Sequence, residues 1–357
     1  MNIFTKLQCQ KIGEAIDSFY RKEARDLPWR RDPSFYSVWL CEIMAQQTKL
    51  EVVLSYHKKF MEELSTIKDL ADVEEEKLLK LWEGLGYYNR ARNLKRAAQE
   101  IVYRRKVVPK NYEDLLSLPG IGPYTAAAIA SIAYGQPYVA LDGNLSRVFS
   151  RLLCYEGDIG KAKSKRDLAA FGQDIMGKDP SAFNQGLMDI GARICLPKER
   201  ALCSSCPLQE FCLAFKRDLV ENYPVKAKKA KRKLMNRTIF ILMDKDRLGL
   251  RKRPSNGLLG GQWELPGLDR FLNEREAEDF LRSQNFSFSS IEVGPSYKHI
   301  FSHIEWRMQS YFVSLKDLPM VREEDRLVYV SQEEIEKTYA LPSAFKVFIE
   351  EWKKRNG

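Results

Sequence analysis

Four cysteines in one short span are the densest chemistry-bearing group in this chain: Cys195, Cys203, Cys206 and Cys212, with seven, two and five residues between them. The other three cysteines, Cys9, Cys41 and Cys154, are scattered and read as packed side chains. Thiols that cluster in a reducing compartment point to a metal rather than to disulfides, because thiolates are soft ligands. The spacing accepts either Zn²⁺ or an iron–sulfur cluster. Lys198, Arg200, Lys216 and Arg217 surround the group with positive charge.

Two carboxylates stand out next. Glu42 lies in EIMAQQT between Leu40, Cys41, Ile43 and Met44. It reads either as a surface charge on a helix or as a carboxyl in apolar surroundings, whose pKa desolvation would raise until it could serve as a general acid. Asp142 in LDGNL precedes a glycine at a helix start, so it is an N-cap or a carboxylate held in a cleft. Between them runs Leu118-Pro119-Gly120-Ile121-Gly122-Pro123-Tyr124. Its glycines permit positive φ, and the free N–H groups of the helix that follows could hold an anion. The same pattern also makes a plain helix–helix corner. Gly84 to Arg92 packs two glycines, two tyrosines and two arginines together, a composition suited to phosphates and base steps or to an ordinary glycine turn.

Elements must position these groups. Residues 5–215 carry apolar residues at helical spacing, with one long helix expected over 36–61 and a helix–glycine hairpin–helix unit from Asn111 to Tyr134. Lys226 to Arg237 is basic without an acidic residue and reads as a tether able to lie along phosphates. From Thr238 the period shifts toward strands, with helices expected over 274–283 and 343–354. The expected regions are therefore a mostly α region 1–217, a basic linker 218–235 and an α+β region 236–357.

The chain has 357 residues, 44% of them hydrophobic, with a net charge of +10. That length suits two domains, and that charge suits an acidic partner such as nucleic acid. Met1 to Tyr20 lacks the pattern of a signal peptide and no apolar run is long enough to cross a bilayer, so no membrane association and a cytoplasmic location, at the nucleoid if bacterial, are expected.

Together these stretches resemble the adenine DNA glycosylase family: a helix–hairpin–helix core with an iron–sulfur loop, then a domain similar to the Nudix fold. The resemblance implies that Glu42 is the general acid toward adenine N7. It implies that Asp142 stabilises the sugar cation, with Asn144 arranging the site and Tyr124 beside Glu42. Gln47, Thr48 and Tyr87 match positions at the lesion pair, and Phe301, Ser302 and His303 match a motif that inspects 8-oxoguanine. Gly120 and Gly122 match the hairpin that grips DNA, and Arg30 is assigned to DNA as well. The four cysteines match the ligands of a 4Fe–4S cluster. The implied partner is double-stranded DNA carrying 8-oxoguanine·adenine or guanine·adenine mispairs, bound by a monomer. Relatives that also cut the strand carry lysine where Tyr124 stands, so a glycosylase without a lyase step is implied. The chain departs from the family in four places. The first cysteine gap is one residue longer than usual, Ala45 replaces a larger apolar residue, Cys41 replaces a more usual serine, and Asn273 stands where an active Nudix signature has glutamate.

Overall fold

The computed structural model describes residues 3–197, 200–227, 232–318 and 327–356. Lys198 and the linker residues Lys228, Lys229 and Lys231 lie outside the described residues. The chain forms two compact units, Met1–Asp72 with Arg92–Lys228, and Val73–Ala91 with Lys229–Gly357. The segment Val73–Ala91, drawn from sequence within region 1–217, thus clusters with the C-terminal unit. Among the described residues no helix is long and apolar enough to cross a membrane.

The first unit is helical. Helix Lys6–Glu23 starts at a capping box in which Thr5 and Gln8 satisfy each other's backbone N–H groups. Its apolar stripe, Ile12 and Ile16, packs against Val148, Phe149, Leu152 and Phe183. Helix Phe35–Ala45 is buried at every position from Phe35 to Met44, as expected of a helix apolar all round. The single long helix expected over 36–61 is two, Phe35–Ala45 and Leu50–Glu63. Gln47 adopts φ +59°, which breaks the hydrogen-bond ladder without any glycine or proline to announce it. The break turns Gln46 to Lys49 into a loop that follows the Glu42 helix.

A buried ion cluster ties this unit together. Asp189 has no side-chain exposure; its Oδ1 accepts from Arg25 Nε at 2.7 Å and Arg30 Nη2 at 3.0 Å, and its Oδ2 from Arg30 Nη1 at 2.8 Å. Burial alone would raise the Asp189 pKa, but the two guanidiniums outweigh it and hold the carboxyl below the usual range. Asp189→Ala should strand Arg30 in the interior and cost about 3–5 kcal/mol, read as a lowered urea midpoint at constant slope.

The second unit is built on one mixed sheet. Its strands are β1 (Lys233–Asp244), β2 (Arg247–Lys252), β3 (Trp263–Glu264), β4 (Gly267–Leu268), β5 (Phe288–Val293), β6 (Tyr297–Ile300), β7 (Ile304–Leu315) and β8 (Leu327–Val330). The order is β3-β2-β1-β7-β5; β4 pairs with β1, β6 with β7 and β8 with β2. β1 and β7 run parallel from Lys233 opposite Ile304 to Met243 opposite Ser314. Strand residues alternate faces, so Ile239 and Ile241 meet Phe345, Phe348 and Trp352, while Phe240 and Leu242 meet Ala277 and Leu281. The 3-10 turn Ser343–Phe345 with helix Lys346–Asn356, and helix Glu274–Ser283, supply those partners, which is why Ile239 to Leu242 is an unbroken apolar run. Asn273 caps helix Glu274–Ser283 in a capping box with Glu276.

Candidate active site

Glu42 sits in the third turn of helix Phe35–Ala45 and is 6% exposed. Tyr124 hydrogen-bonds to it, and its Oε2 has no partner. Burial lifts its pKa to about 7; the Tyr124 bond opposes the rise and the nearby Asp142 charge adds to it. About half of these carboxyls therefore carry a proton near pH 7, and the burial of the side chain excludes the surface-charge reading of its sequence context. Tyr124, half-buried, stands in the first turn of helix Pro123–Tyr134. Burial, then Glu42 and Asp142, push its hydroxyl well above the ordinary tyrosine range, so it remains a donor.

Asp142 is one of the two things its sequence allowed. It is the N-cap of helix Gly143–Leu153, its Oδ1 accepting from Leu145 N at 2.7 Å. Its charge also raises the Glu42 carboxyl and the Tyr124 hydroxyl. Burial raises its pKa, against bonds from the Leu145 and Asn144 backbone and the charge of Arg147. Asn144 bonds to Asp142 and accepts from Arg147 Nη2 at 3.0 Å.

The same helix carries the cysteine loop. Arg147 donates to the Cys195 and Gly191 carbonyls, both at 2.7 Å. One turn on, Arg151 donates to the Leu196 carbonyl at 2.8 Å and to Cys195 Sγ at 3.3 Å. Cys195, Cys203, Cys206 and Cys212 line a single cavity with Arg151 and Ile194. Among the described residues no three His, Cys, Asp or Glu side chains meet closely enough to hold a single ion; the four thiols are instead spread over the cavity wall. Burial raises the Cys206 thiol to about 12, and the neighbouring thiols add to the rise. Four thiolates can share one cavity only with a compensating cation, so the donor set fits a resident metal group.

The hairpin before Tyr124 needs one of its two glycines for conformation. Gly120 has φ +78°, and a Cβ there would lie 2.6 Å from Asn93 Cβ. Gly122 has φ −93° and open space where a Cβ would go, so its place as N-cap, not strain, accounts for it. Helix Pro123–Tyr134 begins without a side-chain cap, leaving its first N–H groups available. Gly120→Ala is expected to cost about 1–2 kcal/mol of stability, measured by thermal melting.

The remaining assigned residues divide between the units. Gln47 is exposed in the turn after helix Phe35–Ala45, and Thr48 Oγ1 donates to the Gln46 carbonyl at 3.4 Å. Arg30 is a correction: its side chain is 8% exposed and committed to Asp189, so it braces the interior rather than facing DNA. In the second unit, Ser302 and His303 form the exposed two-residue tip joining β6 to β7, closed by Phe301 N donating to Ile304 O at 2.8 Å. Phe301 packs against Trp306 at 4.8 Å between ring centroids. Tyr87, 51% exposed with φ +49°, shares a 2.7 Å hydrogen bond between its hydroxyl and Ser302 Oγ. Sequence reading missed Asp189 with its arginines, and it missed Arg147 and Arg151. The i, i+4 spacing of the last two on the helix that starts at Asp142 was the available signal.

Comparison with known proteins fits this geometry. Residues 40–173 match the HhH-GPD superfamily of base excision DNA repair proteins, and residues 238–351 match the NUDIX domain. A thermostable thymine-DNA glycosylase of known structure is 26% identical with a TM-score of 0.52, covering 59% of this chain and 98% of its own. An endonuclease III solved in a non-covalent complex with DNA shares the fold at 23% identity and a TM-score of 0.52, over 61% of this chain and 99% of that one. These define a helix–hairpin–helix DNA glycosylase followed by a Nudix-like domain.

Adenine DNA glycosylases match over most of the length. That of Schizosaccharomyces pombe is 32% identical, covering 94% of this chain and 88% of its own. That of Buchnera aphidicola is 35% identical over 82% and 83%, and that of Homo sapiens 30% over 93% and 72%. The chain belongs to the adenine DNA glycosylase family, enzymes of base excision repair.

Proposed function

We propose that this protein removes adenine mispaired with 8-oxoguanine, or with guanine, from duplex DNA by monofunctional hydrolysis of the N-glycosidic bond. The observation that carries the reading is the pair of unlike carboxyls: Glu42, kept near pKa 7 by burial, coupled to Asp142 at one site. Adenine is a poor leaving group until protonated, and the neutral Glu42 can deliver a proton to N7. Bond breaking leaves an oxocarbenium-like sugar, which an ionised Asp142 can stabilise. Two carboxyls in different environments take the acid and the anion roles, as in sugar hydrolysis.

Tyr124 donates to Glu42 and has no amine with which to form a Schiff base, so the reaction ends at base release. The adenine must leave the stack first, which costs a few kcal/mol and less at a mispair. The uncapped hairpin helix, a basic linker over 218–235 and the net charge of +10 offer the compensating phosphate contacts. Region 236–357, with the Tyr87 loop, is the lesion reader. Gln47 and Thr48 belong to the contacts at the mispair.

Cys195, Cys203, Cys206 and Cys212 would hold a 4Fe–4S cluster, which would neutralise the thiolates and tie residues 195–212 together beside Arg147 and Arg151 of helix Gly143–Leu153. A base-release assay on matched duplexes with 8-oxoguanine, guanine or thymine opposite adenine tests the function. Release is expected fastest opposite 8-oxoguanine and absent opposite thymine, with no strand cleavage. Equal release from all three duplexes, or from none, removes the reading. A visible absorbance band from purified protein, lost on Cys206→Ser, tests the cluster separately.

A further inference from the structure

Helix Glu75–Leu81 precedes Tyr87, and its residues divide by face. Leu78, Leu79, Leu81 and the following Trp82 are buried. Glu76 and Lys80, four apart, share another face, and Glu83 follows one turn on. All three make polar contacts with the Nudix-like part of the same unit. Glu76 accepts from Lys252 Nζ at 2.5 Å and from Trp263 Nε1 at 3.2 Å. Lys80 Nζ donates to the carbonyls of Ile335 at 2.9 Å and Tyr339 at 3.3 Å, and pairs with Glu83 at 2.6 Å. Ile335 lies in helix Gln332–Lys337, whose last carbonyls favour a cation. Glu83 Oε1 accepts from Leu341 N at 2.9 Å.

From this anchored face the chain leads directly to Tyr87. Trp82 Nε1 donates to the Gly86 carbonyl at 3.0 Å, and Arg90 donates to the Leu85 and Gly86 carbonyls at 2.9 and 3.1 Å. Tyr87, left-handed at φ +49°, then reaches Ser302 at the β6–β7 tip. An exposed tyrosine in a strained backbone conformation holds a 2.7 Å bond to another loop only if both loops are fixed to a common base. Lys80 and Glu83 fix one of them.

We propose that Lys80, with Glu83 and Glu76, is a specificity-determining positioning residue: it seats the Tyr87 loop on the Nudix-like fold so that Tyr87 and Ser302 act as one reading element. The inference rests on the proposed lesion-reading role of Tyr87 and Ser302. It adds that discrimination depends on residues remote from the hairpin tip and outside the adenine site.

The test compares single-turnover adenine release from 8-oxoguanine·adenine and guanine·adenine duplexes by the full-length protein. Lys80→Met is expected to lower the ratio of the two rates about tenfold, through loss on the 8-oxoguanine duplex, with the guanine rate within twofold of the parent. Lys80→Arg, which keeps the cation, should restore most of the ratio. The double variant Lys80→Met/Ser302→Ala should discriminate no worse than Ser302→Ala alone, because both changes break one element. An unchanged ratio in Lys80→Met, an equal fall on both duplexes, or additive losses in the double variant would each overturn the inference and leave a structural role. Absence of release by the parent from either duplex would instead remove the functional reading and this inference with it.

Discussion

Glu42→Gln is expected to lower adenine release by about 10²–10⁴-fold while leaving affinity for mispaired duplex within a few fold. Glutamine keeps the shape and can still accept from Tyr124, but it has no proton to give. The parent enzyme's rate should fall as pH rises through about 7, where Glu42 loses its proton. It should also fall on the acid side as Asp142 is protonated, at a pH above the ordinary aspartate range because burial raises that group. The variant should show no alkaline limb from residue 42. Single-turnover release followed against pH on both sides of about 7 measures both limbs.

The same substitution should change stability in the opposite direction. A folded-state pKa near 7 against 4.5 unfolded means that the native state holds the Glu42 proton more tightly. Burial therefore costs nothing below the unfolded value, and the cost grows as pH rises through this interval. Above the folded pKa it reaches about 3 kcal/mol, because each pH unit separating the two values is worth about 1.4 kcal/mol. Glu42→Gln removes this charge penalty, so the inactive variant should melt higher than the parent at alkaline pH, with the gain fading in acid. Retained turnover, or a stability gain independent of pH, would sink the assignment of Glu42 as a buried neutral acid.

Asp142→Asn should cost about 10²–10³-fold in release for a different reason. Asparagine is as good an N-cap as aspartate, so the bond from Leu145 N survives and stability should move by only a few tenths of a kcal/mol. What disappears is the negative charge proposed to stabilise the sugar cation. Asp142→Ala should lose that charge and the cap together, adding about 1 kcal/mol of destabilisation. Equal activity in the asparagine variant and the parent would reduce Asp142 to its capping role. Comparing the two variants by rate and by melting temperature separates the functions that one side chain performs.

Local pattern carried much of this protein. The helix over Glu274–Ser283 and the strand over Ile304–Leu315 were legible because each buries a face whose spacing appears in the residues themselves, whereas the strand expected from Thr238 begins at Lys233, inside the segment read as linker. The break at Gln47 was not legible, since a single residue at positive φ carries no reliable signature unless it is glycine. Arg30 looked like a surface base because its partner, Asp189, is far away in sequence. The segment Val73–Ala91 reads as one more helical stretch of the N-terminal region, and only its contacts with residues 252 to 341 assign it to the second unit.

The sequence by itself determined the residue chemistry: two carboxyls, a tyrosine without an amine, four clustered thiols and a glycine hairpin, in the order this family uses. The tertiary structure decided how far the Glu42 carboxyl is lifted. Burial, not identity, raises Glu42 to about 7, and burial is a property of what Tyr124, Asp142 and the surrounding helices bring around it. Desolvation and long-range pairing depend on residues brought together across the fold, so they are set by folding and cannot be read from neighbours in the chain.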